Sequence, residues 1–147
     1  TLNAPKAQGV TGFLSKVGTF KLADVEIRSG NEYATVLAVS LDDKPLSTSG
    51  KVLVQVGTTE RPTNWKTRPV DIAVEKDTRK GELILSFGTK PWQIVQSDVT
   101  LTFGNASLKT AQVLDANGMP VKEVPLQEAG GRKQLKFPAE AMYVVIE

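Results

Sequence analysis

Apolar residues recur at every second position in short runs broken by turn formers. In VLVQV, residues 52 to 56, Val52, Val54 and Val56 share one face. In VTLTF, residues 99 to 103, Val99, Leu101 and Phe103 lie on one face and two threonines on the other. VDIAV (70 to 74) and ELILSF (82 to 87) alternate in the same way. Period-two alternation rich in β-branched residues predicts half-buried strands. FKLADVEI, residues 20 to 27, alternates but changes phase near Ala23 and Asp24, which predicts a bulge or bend. YATVLAVSL, residues 33 to 41, is apolar on nearly both faces and reads as a central strand.

The runs are joined by turn chemistry. SGNE (29 to 32), DDKP (42 to 45), TRKG (78 to 81), DANG (115 to 118) and AGGR (129 to 132) place Gly, Asn, Asp or Pro where a tight turn needs them. No window carries a helical period. AEAMYV is helix-like in composition, but Pro138 before it and YVVIE after it predict a short turn entering the last strand. About nine or ten short strands in consecutive hairpins predict an all-β fold, an antiparallel β-sandwich of jelly-roll or immunoglobulin-like kind. Residues 1–147 read as a single domain, and residues 1–12, with Pro5, Gly9 and Gly12, read as a linker-like lead-in. The chain does not begin with Met, so it is expected to be a mature or excised segment of a longer multidomain protein.

Composition narrows the chemistry. The 18 basic and 16 acidic residues leave a net charge of +2, too small to predict a nucleic-acid or anionic-membrane partner. There is no cysteine and no histidine, which excludes thiolate sites, zinc–histidine sites and histidine relays. No apolar run is long enough to span a bilayer as a helix. The first thirteen residues lack the charged and apolar blocks of a signal peptide.

Three stretches carry a resemblance. APKAQGVTGF (4 to 13) is similar to a Thr-Pro-Arg-Thr-Gln-Gly-x-x-Gly-Phe opening, with Ala4 and Lys6 replacing threonine and arginine. GTFKLADVEIRSGNEYATVLAVSLDDKPLSTSGKVLVQVGT (18 to 58) is similar to a strand, a Ser-Leu-Asp-Gly-Lys-Pro-Leu turn and a following strand. VLDANGMPVKEVPL and AMYVVIE are similar to a closing hairpin and final strand. Together they resemble the C-terminal β-sandwich that follows the catalytic barrel in large secreted glycoside hydrolases. The resemblance implies a secreted location and a catalytic domain elsewhere in the parent chain. It transfers no catalytic residue, because the carboxylates of such enzymes lie on the barrel.

The residues themselves offer few sites. Sugar cleavage needs two facing carboxyls, and Asp24, Glu26, Glu32, Asp42, Asp43, Glu60, Asp71 and Glu75 are scattered over strand exteriors and turns. No catalytic residue is expected. Asp42 with Asp43, or Asp115 with Asn117, could offer oxygen ligands to a structural calcium, but turn capping explains both, and no cofactor or metal is expected. Gly130-Gly131-Arg132 reads as a turn, not a phosphate cradle.

Aromatic stacking on a sugar ring remains. In TERPTNWKTRP (59 to 69), Trp65 has no alternating apolar partners, and two prolines stiffen what reads as a polar loop. Trp65 is the expected carbohydrate contact, with Asn64, Lys66, Arg61 and Arg68 as polar partners. The other reading folds the ring back under Arg61 or Arg68. Trp92, next to Ile94 and Val95, reads as core or sheet edge and is the reserve aromatic. Tyr33 and Tyr143 open strands, where a half-buried ring is ordinary. The chain is therefore expected to be a non-catalytic carbohydrate-binding accessory module of a secreted polysaccharide-degrading enzyme, binding a plant or algal polysaccharide by aromatic stacking. The alternative is a structural sandwich packed against the catalytic barrel, with Trp65 or Trp92 as an interface anchor and no free-sugar binding.

Overall fold

Strand alternation carries through to the tertiary structure. The computed structural model describes all 147 residues, and every strand pair in it is antiparallel. In chain order the strands are β1 (Leu2–Ala4), β2 (Ala7–Gly12), β3 (Thr19–Lys21), β4 (Val25–Ser29), β5 (Ala34–Ser40), β6 (Val52–Thr58) and β7 (Glu60–Val74). There follow β8 (Asp77–Ile94), β9 (Val99–Phe103), β10 (Ala111–Leu114), β11 (Pro120–Val124), β12 (Gln127–Ala129), β13 (Arg132–Lys136) and β14 (Tyr143–Ile146). One 3-10 turn, Leu14–Lys16, follows β2, and there is no α-helix. The count is fourteen strands, above the nine or ten expected, because three-residue strands such as β1, β3 and β12 are too short to show a period.

The chain forms two compact units, residues 1–58 with 96–147, and residues 59–95. β7 and β8 pair only with each other, so the segment inserted between β6 and β9 makes a sheet of its own.

The first unit is a β-sandwich. One sheet has seven strands in the order β1-β2-β5-β6-β14-β10-β11, and the other has five in the order β12-β13-β9-β4-β3. Val36, Val54 and Val144 from the first sheet share a fully buried core with Ile27, Leu101 and Leu135 from the second. Each such side chain contributes about 1.5–3 kcal/mol relative to exposure. β5 lies between β2 and β6, the interior position expected of YATVLAVSL. It buries Ala34, Val36 and Ala38 on one face only, not both.

Residues 1–12 are not a linker. Leu2–Ala4 and Ala7–Gly12 form β1 and β2, and β2 pairs with β5 over six residues. Gly9, which suggested flexibility, permits close packing, because a Cβ there would overlap the Val36 carbonyl oxygen. Gln8, fully buried in β2, binds the start of β4. Its Oε1 accepts from the Asp24 and Val25 N–H groups at 2.9 and 3.1 Å. Its Nε2 donates to Asp24 Oδ2 at 2.6 Å. This polar bridge joins the two sheets.

The phase change in FKLADVEI is the bend of the two alternatives, not the bulge: the chain bends at Ala23 and Asp24, β3 folds back on β4, and Leu22 N–H donates to the Val25 carbonyl at 3.0 Å. The turn at DANG joins β10 to β11 as expected. Asp115 Oδ1 accepts from the N–H groups of Asn117 and Met119 at 2.8 and 2.9 Å. AGGR joins β12 to β13, with Gly130 and Gly131 at φ 60° and 76°.

Candidate functional site

The second unit carries every candidate contact residue named from the sequence. TERPTNWKTRP is not a loop. Residues 60 to 69 are the first part of β7, paired antiparallel with β8. A two-stranded ribbon leaves many N–H groups without a ladder partner, so Pro62 and Pro69 are tolerated where a central strand would reject them. The register breaks between Pro62 and Thr63 and between Lys66 and Thr67. Asn64, at φ 62°, and Gly88, at φ 70°, lie between the two breaks, flanked by the pairs Thr63–Thr89 and Trp65–Phe87. Thr63 Oγ1 donates to the Pro91 carbonyl across the first break at 2.7 Å.

The turn also moves. TRKG was expected to turn at 78 to 81, but those residues lie inside β8, and the chain reverses at Glu75-Lys76, with Glu75 at φ 53°. Gly81 belongs in the strand because the Ile72 side chain fills the space that a Cβ would need.

Trp65 is half-buried within this hairpin. It stands opposite Phe87 in register, ring centroids 5.9 Å apart and planes at 75°. The Arg61 guanidinium lies 5.5 Å from the Trp65 centroid. This is the arrangement in which the ring is covered by its own neighbours. A sugar stacking on Trp65 would have to displace Arg61 from the ring. Asn64, Lys66 and Arg68 are exposed on β7. Trp92, expected at the core or a sheet edge, is 61% exposed and pairs with Pro62. Phe87 is 74% exposed.

Between the second register break and the turn, the hairpin has two unlike faces. Val70, Ile72 and Val74 alternate along β7 and share one face, and Leu83, opposite Arg68, extends that row, with Arg79 and Asp77 of β8 opposite Ile72 and Val74 at its edge. The other face carries the cross-strand pairs Pro69–Glu82, Asp71–Lys80 and Ala73–Thr78. Ile72, Val74, Leu83, Ile84 and Leu85 are all exposed large hydrophobics. The hairpin holds seven Lys or Arg against five Asp or Glu, so the chain's net charge of +2 resides there and the sandwich is balanced.

Asp24, Glu26, Asp42 and Asp115, among the carboxylates considered for catalysis or metal binding, are engaged in structural contacts. Asp24 is bound by Gln8, and Glu26 pairs with Arg132 at 3.4 Å. Asp42 accepts from Ser49 Oγ at 2.7 Å, Gly50 N–H at 2.8 Å and Ser40 Oγ at 2.9 Å. The Ser49 and Gly50 hydrogen bonds hold its carboxyl well below the usual range. Backbone hydrogen bonds from Met119 and Asn117 lower Asp115 in the same sense.

Sequence reasoning missed the exposed pair Phe13 and Tyr33, whose centroids are 5.4 Å apart. Phe13 lies just past the stretch read as linker and outside every run read as a strand, so it carried no strand signal. Comparison with family models, curated proteins and solved structures found no match.

Proposed function

We propose that the chain is a non-catalytic accessory sandwich of a secreted polysaccharide-degrading enzyme, and that its hairpin docks on the catalytic domain of the parent chain. The observation that carries this reading is the row Val70, Ile72, Val74 and Leu83 on one face of a two-stranded sheet, with Ile72 45% and Leu83 43% exposed. A two-stranded ribbon in water is marginal, and an apolar row of this kind is an interaction surface. The polar pairs on the opposite face suit solvent. Trp92 and Phe87 are the large rings that anchor interfaces.

The test is amide hydrogen exchange on the 147-residue chain alone and within the full-length protein. Amides of residues 70 to 74 and 82 to 87 exchange more slowly in the full-length protein, and Ile72→Asp with Leu83→Asp removes that protection. Equal exchange in both contexts overturns the reading. So does concentration-dependent self-association of the chain alone that protects the same amides, which would make a second copy the occupant.

Direct polysaccharide binding is the second reading, favoured by the exposure of Trp92. Titration with soluble and insoluble polysaccharides, repeated with Trp92→Ala and Trp65→Ala, tests it. No binding to any polysaccharide removes this reading and leaves the docking role untouched.

A further inference from the structure

The sandwich carries a polar cleft that neither reading of the hairpin uses. Arg28 on β4, Thr100 on β9 and Lys136 on β13 are direct register neighbours across three adjacent strands. Adjacent strands lie about 4.8 Å apart, so the two long cations flank the threonine hydroxyl from either side. Ser15, Gly18, Ser29, Gly30 and Asp98 complete a cavity of about 400 Å³.

The cleft is built by local constraints. Asn31, almost wholly buried, ties its walls together: its Nδ2 donates to the Gln96 carbonyl at 2.9 Å, and its Oδ1 accepts from Asp98 N–H at 2.7 Å. Gly30 N–H donates to the Asp98 carbonyl at 2.9 Å, and Ser15 N–H to the Asn31 carbonyl at 3.1 Å. A Cβ on Gly30 would overlap the Asp98 carboxylate, so glycine lets that carboxylate lie against the backbone. Lys136 Nζ meets Asp98 Oδ1 at 2.5 Å. The Lys136 hydrogen bond and charge, with Arg28 adding a smaller effect, lower the Asp98 carboxyl. The Arg28 side chain makes no hydrogen bond or ion pair within the protein.

Arg28 and Lys136 against Asp98 leave one positive charge with a free guanidinium fork. That fork matches a planar carboxylate in two parallel hydrogen bonds. A single surplus charge suits a monoanion better than a phosphate dianion. Hydroxyls and a carboxylate around the fork suit a ligand rich in hydroxyl groups. The segments Ser15–Gly18 and Arg28–Gly30 are continued by Phe13 and Tyr33, the exposed edge-to-face pair. We propose that this cleft binds a sugar acid, its carboxylate on Arg28 and Lys136 and its ring hydroxyls on Asp98, Ser15 and Thr100. The proposal stands on sandwich residues alone and does not depend on the role of the hairpin.

The test is titration of the 147-residue chain, followed by NMR of the Arg28, Thr100 and Lys136 signals. The probes are galacturonate, glucuronate, their trimers, the methyl ester of the galacturonate trimer, neutral galactose trimer, acetate, sulfate and inorganic phosphate. A uronate, as monomer or trimer, shifts these signals and binds at least tenfold tighter than its ester, the neutral trimer or acetate. Preference for the trimer identifies a polymer unit, and equal binding a free acid. Arg28→Ala removes binding, Arg28→Lys weakens it at least fivefold, and Trp65→Ala leaves it unchanged. Uronates no better than acetate, sulfate or phosphate binding equally, or full binding in a folded Arg28→Ala each overturn the proposal.

Discussion

Trp65 and Phe87 face each other across the hairpin register, centroids 5.9 Å apart and planes at 75°, with Arg61 over the indole at 5.5 Å. The edge-to-face pair holds together the part of the ribbon where the ladder is broken on either side. A double-mutant cycle with Trp65→Ala and Phe87→Ala gives a coupling of about 0.5–1.5 kcal/mol, read from exchange of the flanking amides. Additive effects would make the contact incidental.

Gly88 lies between the two register breaks, next to Phe87. At φ 70° a side chain is strained, and its Cβ would overlap the Thr63 carbonyl oxygen and lie 2.8 Å from Trp65 N. Gly88→Ala costs about 1 kcal/mol or more of local stability. Amides of residues 60 to 66 and 86 to 94 exchange faster, while the sandwich melts at its original temperature.

Gln8 supplies both acceptors for the buried start of β4. Gln8→Ala leaves the Asp24 and Val25 N–H groups without them and destabilises the sandwich by about 1–3 kcal/mol in denaturant unfolding. Gln8→Glu keeps the acceptor oxygens but sets a second carboxylate beside Asp24 Oδ2. It also destabilises the sandwich, because like-charge repulsion replaces the hydrogen bond from Nε2.

Asp42 stabilises the turn between β5 and β6 in its charged form. Its folded pKa is depressed, so the folded chain binds fewer protons than the unfolded one below the ordinary aspartate value. The contribution is fully present above about pH 4 and fades as pH falls toward the folded value. Asp42→Asn therefore lowers the melting temperature at pH 7, and the gap to the parent protein shrinks below about pH 4. A gap that stays constant through acid would mean the carboxylate charge contributes nothing.

Burial separates two leucines of similar strand context. Leu101, fully buried in the sandwich, costs about 2–5 kcal/mol on truncation to Ala. Leu85, 57% exposed in the hairpin, changes global stability of the chain alone by no more than about 0.5 kcal/mol.

Strand alternation in VLVQV and VTLTF was readable directly, because a period of two needs only neighbouring residues. Both became sandwich strands with their expected faces inward: Val52, Val54 and Val56, and Val99, Leu101 and Phe103, are all buried. The same alternation in VDIAV and ELILSF misled about burial. It reports that one face is apolar and says nothing of whether another layer covers it. Gly81 and the prolines around Trp65 suggested turn and loop for a related reason. Their local preference is real, but Ile72 fills the space at Gly81, and a two-stranded ribbon tolerates proline.

The candidate residues divide along the same line. Trp65, Arg61, Asn64, Lys66 and Arg68 are contiguous, so their association could be read from the chain, whereas Trp65's pairing with Phe87 could not. Arg28, Asp98 and Lys136 are 70 and 38 residues apart, and no spacing rule joins them. The all-β class, the turns at DANG and AGGR, and the absence of histidine and cysteine chemistry follow from residue types and their short-range order. The separate hairpin and the Arg28–Thr100–Lys136 row depend on which strands pair and in what register. Register is a long-range choice, made by the buried faces of the whole sandwich and not by any one segment.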